Sequence, residues 1–133
     1  MRPLPPTLRW PLLAIAAFLA LGAIPAGVGF VLRPDGSLVG MPLTVLAGTP
    51  FPDFRLPGLV LTLVVGGATL TAAVLVAVGS PRAADVALAA GAVVVGWIAV
   101  QLALIAYVSP LQPLVAGLGL AMIGLAWKAR AVA

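Results

Sequence analysis

All seven basic and all three acidic side chains of this 133-residue chain stand outside four apolar runs, Pro11–Leu32, Leu59–Val78, Val86–Val108 and Leu111–Trp127. A charge at the centre of a membrane helix costs about 2.5–3.5 kcal/mol, so this segregation is what lipid imposes on a spanning chain. About 20 apolar residues rising 1.5 Å each cross a hydrocarbon core of roughly 30 Å; three runs meet that length and the fourth is short. Without water, every backbone N–H and C=O must be paired within its own segment, which selects helices. The chain is 63% hydrophobic and 8% charged, with a mean hydropathy of +1.26, whereas a soluble domain carries roughly a quarter charged residues. The sequence therefore predicts a single all-α integral membrane domain over 1–133. Its architecture is a four-transmembrane-helix bundle with one long outer loop, 33–57, between the first two helices.

An even number of spans puts both termini and the 79–85 turn on one side. That side holds Arg2, Arg9, Arg82, Lys128 and Arg130, and the other holds Arg33 and Arg55. Short loops rich in Lys and Arg stay in the cytoplasm, so both termini are expected inside, with Trp10 and Trp127 at that interface. The basic start followed by Gly22, Ala23 and Ala26 resembles a signal peptide. The apolar run nevertheless continues to Leu32, beyond a signal's 7–15-residue apolar region, and a retained helix is expected. Six arginines to one lysine, with the Ala, Val and Gly bias, suggest a GC-rich bacterial genome and a multi-pass protein of the inner (plasma) membrane. The net charge of +4 is spread singly over span ends. A nucleic-acid surface would cluster it, so no nucleic-acid partner is expected.

Local signals mark the connections. Gly79 can end the second helix, and Ser80-Pro81 supplies a cap and a first-turn proline for the third. Asp85 is expected near that helix's positive end, with Arg82 as its neighbour. Ser109-Pro110 repeats the device, making a tight hairpin of helices three and four. Pro25 is expected to kink the first helix. Small residues recur at three- and four-residue spacing: Ala16, Ala20, Ala23 and Gly27; Thr62, Gly66, Thr69 and Ala73; Ala92, Gly96, Ala99, Ala103 and Ala106; Gly117, Ala121 and Gly124. Such stripes let membrane helices approach closely, although with this much Ala and Gly some must arise by chance.

The chemistry-bearing inventory is thin. There is no Cys, His or Glu, so disulfides, thiol chemistry and Cys-based metal sites are excluded. No catalytic residue, metal or cofactor is expected, since acid–base work would fall on Asp35, Asp53 or Tyr107. Two Asp in one loop would hold a hard cation only with many borrowed oxygens. Four-helix drug/proton antiporters need a carboxylate inside the membrane, and none is present, which argues against that mechanism. Thr62, Thr69 and Thr71 are expected to bond back to their own helix carbonyls. Trp97 and Gln101 lie one turn apart near mid-membrane and need partners. They form either an interhelical hydrogen bond, worth about 0.6 kcal/mol, or a polar spot in a ligand pocket.

The outer loop is long enough to be functional or disordered. "MPLTVLAG" reads as a short helix lying flat on the outer leaflet. "GTPFPDFRLPG", 48–58, concentrates three prolines, two aromatics, Asp53 and Arg55. The prolines lower the entropy cost of ordering, and Phe51 and Phe54 can enter the bilayer or cap the bundle. Arg33 and Asp35 are expected to pair across the loop with Asp53 and Arg55, while Asp53 has the alternative of capping the second helix. This describes a rigid, charge-neutral lid. The candidate ligand-contacting residues are Trp97, Gln101, Phe51, Asp53, Phe54 and Arg55.

"PDGSLVGMPL", "LAGTPFPDFRLPG", "VVGG" and "WIAVQ…YVSPLQP" occur in this order over about 34–113. In these stretches the chain resembles a family of small, uncharacterised bacterial four-helix integral membrane proteins with a G-T-P-F-x-D-F-x-L-P-G outer-loop motif. The resemblance implies the four-helix fold and brings no activity, cofactor or site residue. Two functions are left open. One is a non-catalytic accessory subunit, or a binder of a lipid or other apolar small molecule under the lid. The other is a small-solute transporter or channel built as a homo-oligomer or within a larger membrane complex.

Overall fold

Proline fixes where the first helix can begin. Pro5 is extended and Pro6 opens helix α1, Pro6–Leu32, where a missing N–H costs nothing. The computed structural model describes residues 4–105 and 109–132. Three more long helices follow: α2, Arg55–Ala77; α3, Ala83–Ile105; and α4, Leu111–Val132. A 3₁₀ turn, Leu43–Leu46, lies in the loop between α1 and α2. All four helices are long and apolar enough to cross a membrane, the make-up of a multi-pass membrane protein. Tyr107 and Ala106 lie outside the described residues.

The first three helices begin before the apolar runs do. The α2–α3 turn is a Schellman closure. Gly79, at φ +71°, donates to Val76 O, and Ser80 N donates to Leu75 O. Ser80 Oγ then accepts the Arg82 N–H. Ser109 opens α4 in a reciprocal capping box: its Oγ accepts the Leu111 N–H while Gln112 Oε1 accepts the Ser109 N–H. Helix α1 runs through Pro25 unbroken, and α2 contains one π-helical stretch, Leu61–Gly66.

Each antiparallel hairpin closes on glycine. In α1–α2, a Cβ on Gly27 would meet Thr62 and the Gly58 carbonyl, and one on Gly66 would meet Ile24 Cγ1 at 2.6 Å. In α3–α4, a Cβ on Gly91 would come within 2.9 Å of Gly119 O. The expected stripes of α1 and α2 therefore face inward. Those of α3 and α4 do not: Ala92, Gly96, Ala99, Ala103, Gly117, Ala121 and Gly124 are exposed, and the buried face of α3 is Ala87, Ala90, Gly91 and Val94. Several registers offered small residues, and the one that brings two glycine backbones together prevails. Leu12, Thr69, Val76, Val94 and Met122 fill the centre from all four helices. Phe18, Leu21, Leu63, Leu102 and Leu120 point outward, as apolar as the core, which is how a lipid-facing surface reads.

Contacts define the two ends of the bundle. At the terminal end Leu8, Ala84 and Ala129 cluster, Arg9 donates to Ala77 O at 2.7 Å, and Arg130 pairs with Asp85 at 2.7 Å. Asp85 thus finds Arg130 across the bundle rather than Arg82. The loop 33–54 closes the opposite, lid end.

Candidate functional site

The lid is built from tight turns that put two aromatic rings under it. Asp35 Oδ1 accepts the Ser37 N–H. Ser37's bonds, chiefly from its backbone N–H, together with the Arg33 charge hold the exposed Asp35 carboxyl below its ordinary value. Gly36, at φ +80°, passes so close to the Met41 carbonyl and the Phe54 ring that no side chain fits there. "MPLTVLAG" forms only the 3₁₀ turn, and its Leu46 is buried. Thr49 Oγ1 donates to Leu46 O and accepts from Phe51 N. Phe54 N–H donates to Pro34 O at 2.9 Å, joining the two ends of the loop.

Phe54 carries the lid's apolar contact. It is 3% exposed and stacks on Phe30 of α1, ring centroids 4.7 Å apart. Leu46 completes this cluster, and Phe51, Met41 and Ile105 of α3 pack around it. Of the two roles open to the phenylalanines, Phe54 caps the bundle, while Phe51 is half-buried at the margin.

The cross-loop pairing of charges does not form. Among the described residues the ion pair is Asp85–Arg130, at the other end. Asp53 Oδ1 instead accepts the N–H of Arg55, the first residue of α2, in a turn just ahead of the helix; the N-cap position falls to Phe54, which makes no side-chain cap, so Asp53 does not cap the helix either. A backbone N–H two residues away reaches the carboxylate more cheaply than a long guanidinium from across the loop. Arg55 is exposed.

Trp97 and Gln101 part company. Trp97 packs against the central core, whereas Gln101, one turn before Ile105, accepts a hydrogen bond from Gln112 Nε2 at 3.2 Å. Gln112 is 5% exposed and ties Gln101 to the Ser109 cap. The partner that an intramembrane amide needs was therefore signalled by the S-P-L-Q box, which the sequence reading did not use. Thr62, Thr69 and Thr71 donate to Gly58, Val65 and Gly67 carbonyls, as expected.

Beside the lid, α1 and α2 leave a groove of about 220 Å³ lined by Val28, Val31, Leu32, Leu59, Thr62 and Leu63. Its walls are apolar, because the Thr62 hydroxyl is turned to Gly58 O. None of the sequence-derived site residues lines it. Its existence depends on how closely Gly27 and Gly58 draw the helices together, which no local pattern reports. Comparison with protein-family models, curated proteins and solved structures finds no match in any of the three.

Proposed function

We propose that this chain is a non-catalytic protein of the bacterial inner membrane, with cytoplasmic termini, belonging to the small four-helix family its lid motif resembles. It binds a lipid or other apolar molecule beside its lid, alone or as the accessory subunit of a larger membrane complex. One observation carries the reading: an apolar groove lies at the lid end of α1 and α2, where the wall residue Leu32 runs directly into the lid. The polar groups nearby are engaged in structure, Gln101 with Gln112 and Asp53 with the start of α2. Purification in native nanodiscs, followed by mass spectrometry of what copurifies, tests it. A stoichiometric lipid or apolar metabolite supports the reading; a preparation carrying only bulk lipid in bulk proportions removes its basis.

A second reading, an oligomeric transporter or channel, draws on the outward small-residue faces of α3 and α4. A Cβ on Gly96, Gly117 or Gly124 would meet nothing within 4 Å, so a second copy could approach these backbones closely. The chain has no cysteine, so Gly96→Cys gives a clean probe. Rapid disulfide dimerisation in membranes favours this reading, and a monomer under oxidation rejects it.

A further inference from the structure

The groove has two arginines near its mouth that form no ion pair among the described residues, although the Arg33 charge is felt by Asp35. Gly58 packs against Phe30 and Val31, and α1 and α2 are antiparallel. Arg33, just past Val31, and Arg55, just before Gly58, therefore extend beyond the same end of that contact. Arg33 adjoins the wall residue Leu32, and Arg55 stands one turn from the wall residue Leu59. Both guanidiniums are exposed, and neither is in an ion pair among the described residues. Two carboxylates share this end. Asp35 is held in its own turn by Ser37, and Asp53 uses Oδ1 for the Arg55 N–H, leaving Oδ2 for another donor.

We propose that this groove binds a phospholipid with a primary-ammonium headgroup. An acyl chain lies along Val28, Leu32, Leu59 and Leu63, the phosphate meets Arg33 and Arg55, and the ammonium meets Asp53. The inference rests on the apolar-binder reading above and specifies its ligand. The groove, at about 220 Å³, is smaller than the roughly 300–1,000 Å³ pockets of drug-sized molecules and suits a slender chain. Guanidiniums are the preferred partners of phosphate oxygens. The two Arg and two Asp charges cancel, so a zwitterion complements them, while a purely anionic headgroup would face both carboxylates. A trimethylammonium group has no N–H to donate to Asp53, which sets ethanolamine above choline.

The test is native mass spectrometry of the full chain in detergent, titrated with phosphatidylethanolamine, phosphatidylcholine and phosphatidylglycerol of identical acyl chains. The ethanolamine lipid is expected to bind about fivefold more tightly than the others, the upper scale of the one exposed charge contact, ammonium to Asp53, that sets it apart. Asp53→Asn erases that preference, and Arg33→Gln with Arg55→Gln weakens binding of all three lipids, whereas Arg82→Gln with Lys128→Gln, at the other end, leaves both unchanged. Leu59→Trp fills the groove and reduces retention of all three lipids; Leu63→Phe replaces it should that variant fail to fold. Equal binding of the three lipids, a preference surviving Asp53→Asn, or retention untouched by the double Arg33/Arg55 change overturns the headgroup site while leaving the binder reading standing. Retention unaffected by filling the groove overturns both.

Discussion

Phe54→Ala removes the side chain that holds the lid down, and its cost can be worked from the contacts. The ring is 3% exposed and stacked 4.7 Å from Phe30 with planes 24° apart. Buried Phe→Ala changes cost about 3–5 kcal/mol, of which an offset ring pair accounts for about 0.5–1.5. A loop at the bundle's end can partly collapse into the space, which favours the lower figure, about 3 kcal/mol. The loss falls on the lid, since the Phe30, Leu46 and Phe54 cluster is separate from the central one. At 1.4 kcal/mol per factor of ten, lid amides should exchange about a hundred times faster. Hydrogen exchange with mass spectrometry in detergent measures this through residue 54, bonded to Pro34 O, and Gly40 and Met41, bonded to Gly36 O. Trypsin provides a second readout at Arg55–Leu56. Lid exchange within about threefold of wild type, or equal loosening of α3 and α4, would refute the account.

Gly91→Ala, pressed against the Gly119 carbonyl, should cost about 1–3 kcal/mol by overpacking; Gly96→Ala should be neutral, and equal midpoints in denaturant titration would contradict the glycine crossing. Gln101→Leu is expected to cost about 0.6 kcal/mol through the lost Gln112 bond, and a double-mutant cycle with Gln112→Leu should recover that coupling; zero coupling would show the bond to be incidental. The Asp35 carboxyl is held below its ordinary value in the folded lid, so the turn's contribution is complete above the ordinary carboxylate range and is lost as pH falls through the lowered value. Exchange of the Ser37 amide followed from pH 5 to 2 should accelerate in that window, and Asp35→Asn should abolish the acceleration, after correction for intrinsic rates.

The spans were legible because ions cannot enter hydrocarbon, and two of the turns because Gly79, Ser80 and Ser109 state their conformations locally. The helices outrun the apolar runs, α1 starting at Pro6 and α4 running to Val132, because apolarity marks what lipid surrounds and not where a helix must end. The inward faces of α3 and α4 were unreadable for a different reason. In lipid both faces are apolar, so polarity cannot distinguish inside from outside, and among 15 glycines nothing local singles out Gly91 and Gly119. The π stretch carries no sequence signature that we can name. At the site, Phe54 and the Asp53 turn were within reach of sequence reasoning. The groove was not, since it is a gap between residues about thirty positions apart.

The Pro34–Phe54 hydrogen bond turns the lid into a closed ring with a narrow neck, so a change at its exposed rim, away from Leu46, need not move the helices below. Lengthening such a ring costs only about 0.6 kcal/mol per doubling. Gly48, exposed at φ +83° with open space around it, is the natural place to splice in an epitope. A tag threaded there would report which face of the membrane the ring occupies while the spanning helices stay as they are.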